Sequence, residues 1–387
     1  MAKLIYLDNG ATSFPKPKEV YDFMHNFYMT HGVNPGRSGY DAVIETEEVM
    51  FGTRKMLTEM FNGGSDANRL TFSYNASDSL NMIIQGICEK GDHVITSVVE
   101  HNSVLRPLYV LEQQGLITAT YIGVDEHGYV NPDDFKKALK PNTKMIIMNH
   151  CSNVFGTIQD VAAVGKIAKE AGVIMAADIS QSAGIIPIDM QAMNLDVVAF
   201  TGHKCLMGPT GIGGSYVREG VPIRTTKYGG TGVRSAVRTH LDEFPYRLEC
   251  GTINIIGVAG LYAGQKWIRE KGMKNIHDYE MKLWQKLVDG MKNIDKVQMY
   301  CYSNPSRHNA VISFNIEGWE AGDVGTLLDV DYNIACRTGL QCAPLMHEAI
   351  GTAAKHGTVR FSLGAFNTEE EIDIAIAAVE DIASIPR

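Results

Sequence analysis

The chain has no paired-cysteine framework, no excess of basic residues and no long apolar run. Its seven cysteines, at 88, 151, 205, 250, 301, 336 and 342, are odd in number and scattered. That excludes a regular disulfide scaffold and leaves reduced thiols, in a cytoplasm, as the expectation. No Cys-x-x-Cys or His-Glu-x-x-His element occurs, so no metal site is expected. Lysine and arginine number 35 against 44 aspartates and glutamates, a net charge of −9. A nucleic-acid partner would need a basic face that such a chain lacks, and an anionic ligand must be held by local dipoles. No stretch approaches the roughly twenty apolar residues of a membrane span, and the first residues lack the apolar core of a signal peptide. The expectation is a soluble enzyme with no membrane or nucleic-acid partner. Internal repeats and low-complexity linkers are absent as well.

What is present is enough for a large core: 387 residues, 45% of them hydrophobic, can bury one large unit and a smaller one. Short apolar strands are expected at 70–73, 93–99, 119–122, 144–148, 173–177, 197–200 and 214–217, with amphipathic helical stretches between them. Strands spaced by helices imply βαβ units and a mostly parallel sheet covered on both faces. After Gly229-Gly230 the texture changes to long helices at 257–273 and 275–293, then strands at 310–316, 334–336 and 359–362. A last helix begins near Thr368, with Ile372, Ile376, Val379 and Ile382 on one face. The fold class is α/β: a large domain over 18–256 with a seven-stranded sheet, and a smaller α+β domain over 257–387 that includes residues 1–17.

The sharpest local signal is Thr201-Gly202-His203-Lys204, which follows an apolar strand and lies downstream of Asp178-Ile179-Ser180-Gln181. A lysine amine and a buried carboxylate at one sheet edge suit pyridoxal 5'-phosphate (PLP): a Schiff-base partner, and an anion for the ring nitrogen. The alternatives are a solvated lysine and a helix-capping aspartate. Ser73-Tyr74-Asn75-Ala76-Ser77-Asp78-Ser79 follow a strand and precede a helical run over 80–87, a small-residue turn whose free N–H groups suit a phosphate; an ordinary serine cap is the other reading. His101 lies just beyond a strand end, placed to stack on a flat ring and move protons, or merely solvated. Cys342, in Arg337-Thr338-Gly339-Leu340-Gln341-Cys342-Ala343-Pro344, sits in a loop-like run; Arg337 or a histidine could favour its thiolate, and Gly339 would allow movement. Arg360 is a charge inside a strand pattern, suited to a substrate carboxylate or to an internal salt bridge.

On these motifs, from Leu7-Asp8-Asn9-Gly10-Ala11-Thr12 to Arg360-Phe361-Ser362-Leu363-Gly364, the chain resembles the class V branch of aspartate-aminotransferase-like PLP enzymes (fold type I). Within that branch it is similar to the cysteine desulfurases, especially the type II group that includes selenocysteine lyases. The resemblance implies that Lys204 carries the cofactor, Asp178 pairs with its ring nitrogen, Gln181 bonds its hydroxyl and His101 stacks on it. It implies that Ala76, Ser77, Thr201 and His203 hold the phosphate, and that Thr252 reaches the phosphate of a partner subunit in a homodimer with shared sites. Asn153 and Arg360 would orient the substrate, L-cysteine or L-selenocysteine, and Cys342 would take the sulfur as a persulfide for a sulfur-acceptor protein.

Two departures stand out. Leu340-Gln341 replace the two histidines common before this cysteine in type II relatives, and Pro344 follows Ala343 directly, so the loop is expected to be shorter or differently aimed. The alternatives implied are a selenocysteine lyase, another lyase or aminotransferase of the branch, or a silent scaffold that binds a sulfur carrier.

Overall fold

The computed structural model describes residues 3–36 and 40–386; the ends of the expected domain spans and residues 37–39 lie outside the described residues. The chain begins with β1 (Ile5–Tyr6), α1 (Lys18–His31) and α2 (Asp41–Met60). Then β2 (Leu70–Ser73), α3 (Ala76–Ile87), β3 (Asp92–Ser97), α4 (Asn102–Gln113), β4 (Ile117–Ile122) and α5 (Pro132–Ala138) follow. The βα alternation continues through β5 (Thr143–Asn149), α6 (Val161–Ala171), β6 (Ile174–Asp178), β7 (Val197–Thr201) and β8 (Gly213–Val217). Two long helices, α7 (Ile255–Lys271) and α8 (Met273–Met291), precede β9 (Val297–Tyr300), β10 (Val311–Ile316) and α9 (Ala321–Tyr332). The chain closes with β11 (Ile334–Ala335), β12 (Arg337–Gly339), α10 (Pro344–Ile350), β13 (Thr358–Ser362) and α11 (Glu369–Ser384).

Seven strands form one sheet in the order β2-β8-β7-β6-β5-β3-β4. Only β8 runs against its neighbours, so the carboxyl ends of β2, β3, β5, β6 and β7 share one edge. These strands are continuous apolar runs because both faces are covered. Ile146, Met148, Met175, Ala177, Val198 and Phe200 belong to one core, whereas Met145, Ile147, Ala176, Val197 and Ala199 belong to another. The split follows the two-residue alternation of a strand.

The smaller layer is the antiparallel sheet β12-β13-β10-β9, with β1 pairing β11 beside it. Its core holds Leu7, Trp284, Phe314 and Phe361, and Trp284 donates from Nε1 to Val311 O at 2.9 Å. Helix α11 starts with a capping box between Thr368 and Glu371, which satisfies two of its first N–H groups. One helix packs across the expected division. Helix α7, assigned from the sequence to the smaller unit, puts Val258, Leu261, Trp267 and Ile268 into the core of the large sheet. A change in texture along the chain does not show which layer an apolar helix face will meet. No helix among the described residues is long and apolar enough to cross a membrane.

Candidate active site

The shared carboxyl edge of the large sheet and the small layer enclose a cavity of about 300 Å³. Its walls bring together Ala76, Ser77, His101, Asn153, Asp178 and Gln181, and with them Thr201, His203, Lys204, Cys342 and Arg360. Asp178 is the last residue of β6 and Thr201 the last of β7, as strand-end placement requires. Thr252 is not there. It lines a separate surface cavity with Gly230, Thr231 and Glu249.

Lys204 is set by the chain's own N-terminus. His203 O accepts from Ser13 N at 3.1 Å, Thr12 Oγ1 at 3.0 Å and Lys16 Nζ at 2.6 Å, while Lys204 O accepts from Ser13 Oγ at 2.9 Å. Burial pushes the Lys204 amine down from its ordinary value, with the Asp178 carboxylate opposing and Arg360 assisting. A lowered amine pKa makes the neutral nucleophile more accessible. Asp178 Oδ1 accepts from Ser180 N at 2.9 Å and from Ser180 Oγ, which fixes the carboxylate. Gln181 donates from Nε2 to Gly10 O at 2.9 Å, so that amide nitrogen is already engaged within the protein.

His101 caps α4, its Nδ1 accepting from Ser103 N at 3.0 Å. Burial, with Lys204 next, holds the imidazole down to about 4, so the ring is neutral and its proton sits on Nε2. His203 is likewise pushed down to about 4 by burial. Its Nδ1, Thr201 Oγ1, Asn153 Oδ1 and Arg360 Nε are buried without a hydrogen-bond partner among the described residues. Four such atoms on one cavity wall are costly. Beside them Asn75 caps α3, whose first N–H groups, on Ala76 and Ser77, have no acceptor within the helix. The N–H groups, Thr201 Oγ1, His203 Nδ1 and Arg360 Nε can donate while Asn153 Oδ1 accepts, a set that fits a phosphorylated ligand with a polar edge.

Arg360 is engaged from within: Nη1 donates to Asn153 O at 2.7 Å and Nη2 pairs with Asp8. Both readings of this residue meet here, an internal salt bridge on the wall of the cavity. Cys342 lies in the loop-like run read from the sequence, as part of a turn that is hydrogen-bonded on several sides. Arg337–Gly339 is strand β12, Cys342 O accepts from Asn102 N at 2.7 Å, and Gln341 O accepts from Asn153 Nδ2 at 2.6 Å. Gln341 and Cys342 have φ of 40° and 61°, conformations that cost on the order of 1–3 kcal/mol each outside glycine. Cys342 Sγ accepts from Arg337 Nη2 at 3.3 Å, so of the cations considered for the thiol it is Arg337 that makes the contact.

Sequence reasoning missed Asp8, Gly10, Asn149, Ser180 and Gln341 as parts of this region. Asp8 and Gly10 stand in a motif that the resemblance quotes, but nothing local assigns them a partner. Another unassigned residue, Glu100, is fully buried; it accepts from Ser97 Oγ at 2.6 Å and Asn149 N at 3.0 Å. Burial raises its carboxyl to about 8 from an ordinary 4.5. A folded-state carboxyl pKa above the unfolded value stabilises fully below about 4.5, and that contribution is lost as pH rises through about 8. Glu100→Gln, which mimics the protonated acid, is expected to flatten the decline of stability over this window by roughly 1–3 kcal/mol. Urea unfolding at a series of pH values checks this; an unchanged pH slope counts against a proton held at Glu100.

The family model described as "Aminotransferase class-V" matches residues 5–374. The cysteine desulfurase IscS of Methanosarcina thermophila is 31% identical over 98% of this chain and 92% of its own. That of Dictyoglomus turgidum is 31% identical over 99% and 95%. Among solved structures, an apo cysteine desulfurase from Thermococcus onnurineus NA1 superposes with a TM-score of 0.90 at 32% identity, covering 98% of this chain and 94% of that one. The cysteine desulfurase CsdA of Escherichia coli has a TM-score of 0.86 at 26% identity. The large parallel sheet with its smaller α+β layer is therefore fold type I. Matched over nearly its whole length by sequence and by fold, the chain belongs to the class-V aminotransferase family, where its relatives are cysteine desulfurases.

Proposed function

We propose that this chain is a PLP-dependent cysteine desulfurase that converts L-cysteine to L-alanine and takes the sulfur on Cys342 as a persulfide. The observation that carries the reading is the convergence of a buried lysine, a fixed carboxylate and a cysteine thiol on one cavity. Bound PLP supplies an aldehyde for an amine and a cationic ring that withdraws electrons from the substrate Cα. Lys204 and Asp178 would hold it at opposite ends of its chemistry, the ring lying against His101. Thr201 Oγ1, His203 Nδ1 and the N–H groups of Ala76 and Ser77 would take the phosphate. The Gln181 side chain, although tied to Gly10, would face the ring hydroxyl.

Toward the substrate, Asn153 and Arg360 orient the α-carboxylate, with Asp8 tempering the guanidinium so that it holds one more anion without excess charge. Lys204 Nζ removes the Cα proton and later returns a proton to carbon. Cys342 attacks the substrate sulfur: an S–S bond forms, the Cβ–S bond breaks, and its electron pair ends on carbon, which is protonated to give alanine. The sum, cysteine plus Cys342 thiolate giving alanine plus Cys342 persulfide, balances without an external oxidant. The persulfide sulfur would pass to a thiol acceptor, such as a sulfur-carrier protein.

Thr252, outside the cavity, would complete the site of a second copy in a homodimer. Seven free cysteines accord with a cytoplasmic setting.

Mass spectrometry of the holoenzyme after brief mixing with L-cysteine tests the reading. One added sulfur on Cys342, with alanine in equal amount and neither product from Cys342→Ser, is the expected result. Alanine formed equally well by Cys342→Ser would remove the thiol from the mechanism. Retained selenocysteine cleavage in that variant would identify a selenocysteine lyase. A protein that neither binds PLP nor gains its visible absorbance would be the scaffold.

A further inference from the structure

Gln341 is buried, 3% exposed, between the exposed Leu340 and the half-buried Cys342. Its contacts define its own orientation. Nε2 lies 2.9 Å from Thr358 O, and a carbonyl only accepts, so that atom is the amide nitrogen. Oε1 then faces His347 Nε2 at 2.7 Å, which makes this ring nitrogen the donor. His347 Nδ1 is left to accept from Thr352 Oγ1 at 2.7 Å. Burial pushes His347 down to about 4, and a neutral ring with one proton satisfies that pattern. Donors thus run in one direction, from Thr352 through His347 and Gln341 to Thr358, tying α10 and the turn after it to β13.

The adjacent left-handed residues, Gln341 and Cys342, persist only where their surroundings over-determine them. Here the side chain of Gln341 is held at both ends and its carbonyl is held by Asn153. The turn so fixed sets Cys342 Sγ beside Arg337 and on the cavity wall that carries Lys204.

We propose that Gln341 is a positioning residue for the Cys342 thiol: its bonds to His347 and Thr358 hold the left-handed turn that presents Sγ to the cavity, so sulfur transfer proceeds from a preset geometry. This rests on the reading of Cys342 as the sulfur acceptor. Among the described residues, the charged or titratable groups that face the turn or share its cavity are Arg337 of β12, Arg360 of β13, His101 at the start of α4, His347 of α10, and Asp178, His203 and Lys204 across the cavity.

The test uses full-length holoenzyme and two variants. Gln341→Leu removes all three side-chain bonds, those to His347 and Thr358 O and the longer one from Thr358 Oγ1, at similar volume. Gln341→Glu keeps them only while the new carboxyl is protonated, because the acid donates to Thr358 O and the anion cannot. Rates of persulfide formation in a single turnover are compared with wild type at the same pH. Gln341→Leu is expected to slow the step by about tenfold or more with the KM for cysteine within about twofold, the pattern of a misplaced nucleophile rather than lost substrate binding. Relative to wild type, Gln341→Glu should lose ground as pH rises, by about tenfold once the buried carboxyl has ionised, a pH signature that space-filling alone does not produce.

A Gln341→Leu rate within about twofold of wild type overturns the proposal, as does a Gln341→Glu ratio flat with pH. Should Gln341→Leu fail to fold, the glutamate ratio decides alone. Alkylation of Cys342 by iodoacetamide, followed by mass spectrometry, separates this inference from the functional reading. If wild type forms no persulfide, the desulfurase reading fails, and alkylation rates equal in wild type and both variants would sink the positioning role separately.

Discussion

Replacing Lys204 by arginine is expected to lower alanine formation from L-cysteine by about 10³- to 10⁴-fold, while the protein remains folded. The size follows from two tasks lost together. A guanidinium stays protonated throughout the working range, so it neither forms an imine nor moves the Cα proton. Conserving the charge should preserve the fold, because Asp178 keeps a cation facing it and the N-terminal donors on His203 O bind backbone rather than the amine. Borohydride reduction followed by peptide mapping gives the complementary result: a label on Lys204 in wild type and none in the variant. Labelling of a different lysine, or activity within about tenfold of wild type, would displace Lys204 from the centre of the site.

The second large effect is on stability, well away from the reacting atoms. Arg54 of α2 makes a two-pronged pair with Glu249 at 2.6 and 2.8 Å, donates to Leu70 O and lies over the Phe72 ring at 4.3 Å. Glu249 Oε1 also accepts from Phe72 N at 2.6 Å. Both side chains are buried. Arg54→Leu strands the Glu249 carboxylate and is expected to cost about 3–5 kcal/mol. Arg54→Leu with Glu249→Gln should recover much of that loss, since no buried charge is left alone. Equilibrium urea unfolding of the wild type, both single variants and the double variant gives the coupling. A single-variant cost below about 1 kcal/mol would mean that water reaches the carboxylate and the pair is not buried in solution. The pair anchors the segment that carries Thr252 to the edge of the large sheet, so its loss should also disorder the surface proposed to meet a second copy.

Much of the architecture was legible because its determinants are local. The apolar runs of β5 and β7 have no polar alternation, and only a doubly covered sheet accommodates them. The carboxyl ends of the parallel strands β6 and β7 then share an edge, which places Asp178, Thr201 and Lys204 together. Helix α7 was harder, because its apolar residues suit either layer, and the choice was made by α1 and α2 packing against it. Around Cys342 the sequence shows a loop-like run and a glycine, but not that the turn is held by Gln341, Asn153 and Asn102, none of which signals an anchor by its type.

By itself, then, the sequence determined the periodicities, the strand-end positions of the reactive groups and the motifs that resemble the class-V family. Tertiary structure alone decided which charges meet and which atoms are left without partners. Asp8 reaches Arg360 across 352 positions of chain, Gln341 finds His347 and Thr358, and Thr252 falls outside the cavity. The physical reason is that strand and helix patterns are written by neighbours a few residues apart. The desolvation and hydrogen bonding that tune a site depend on which layers close over it, and no local pattern encodes that closure.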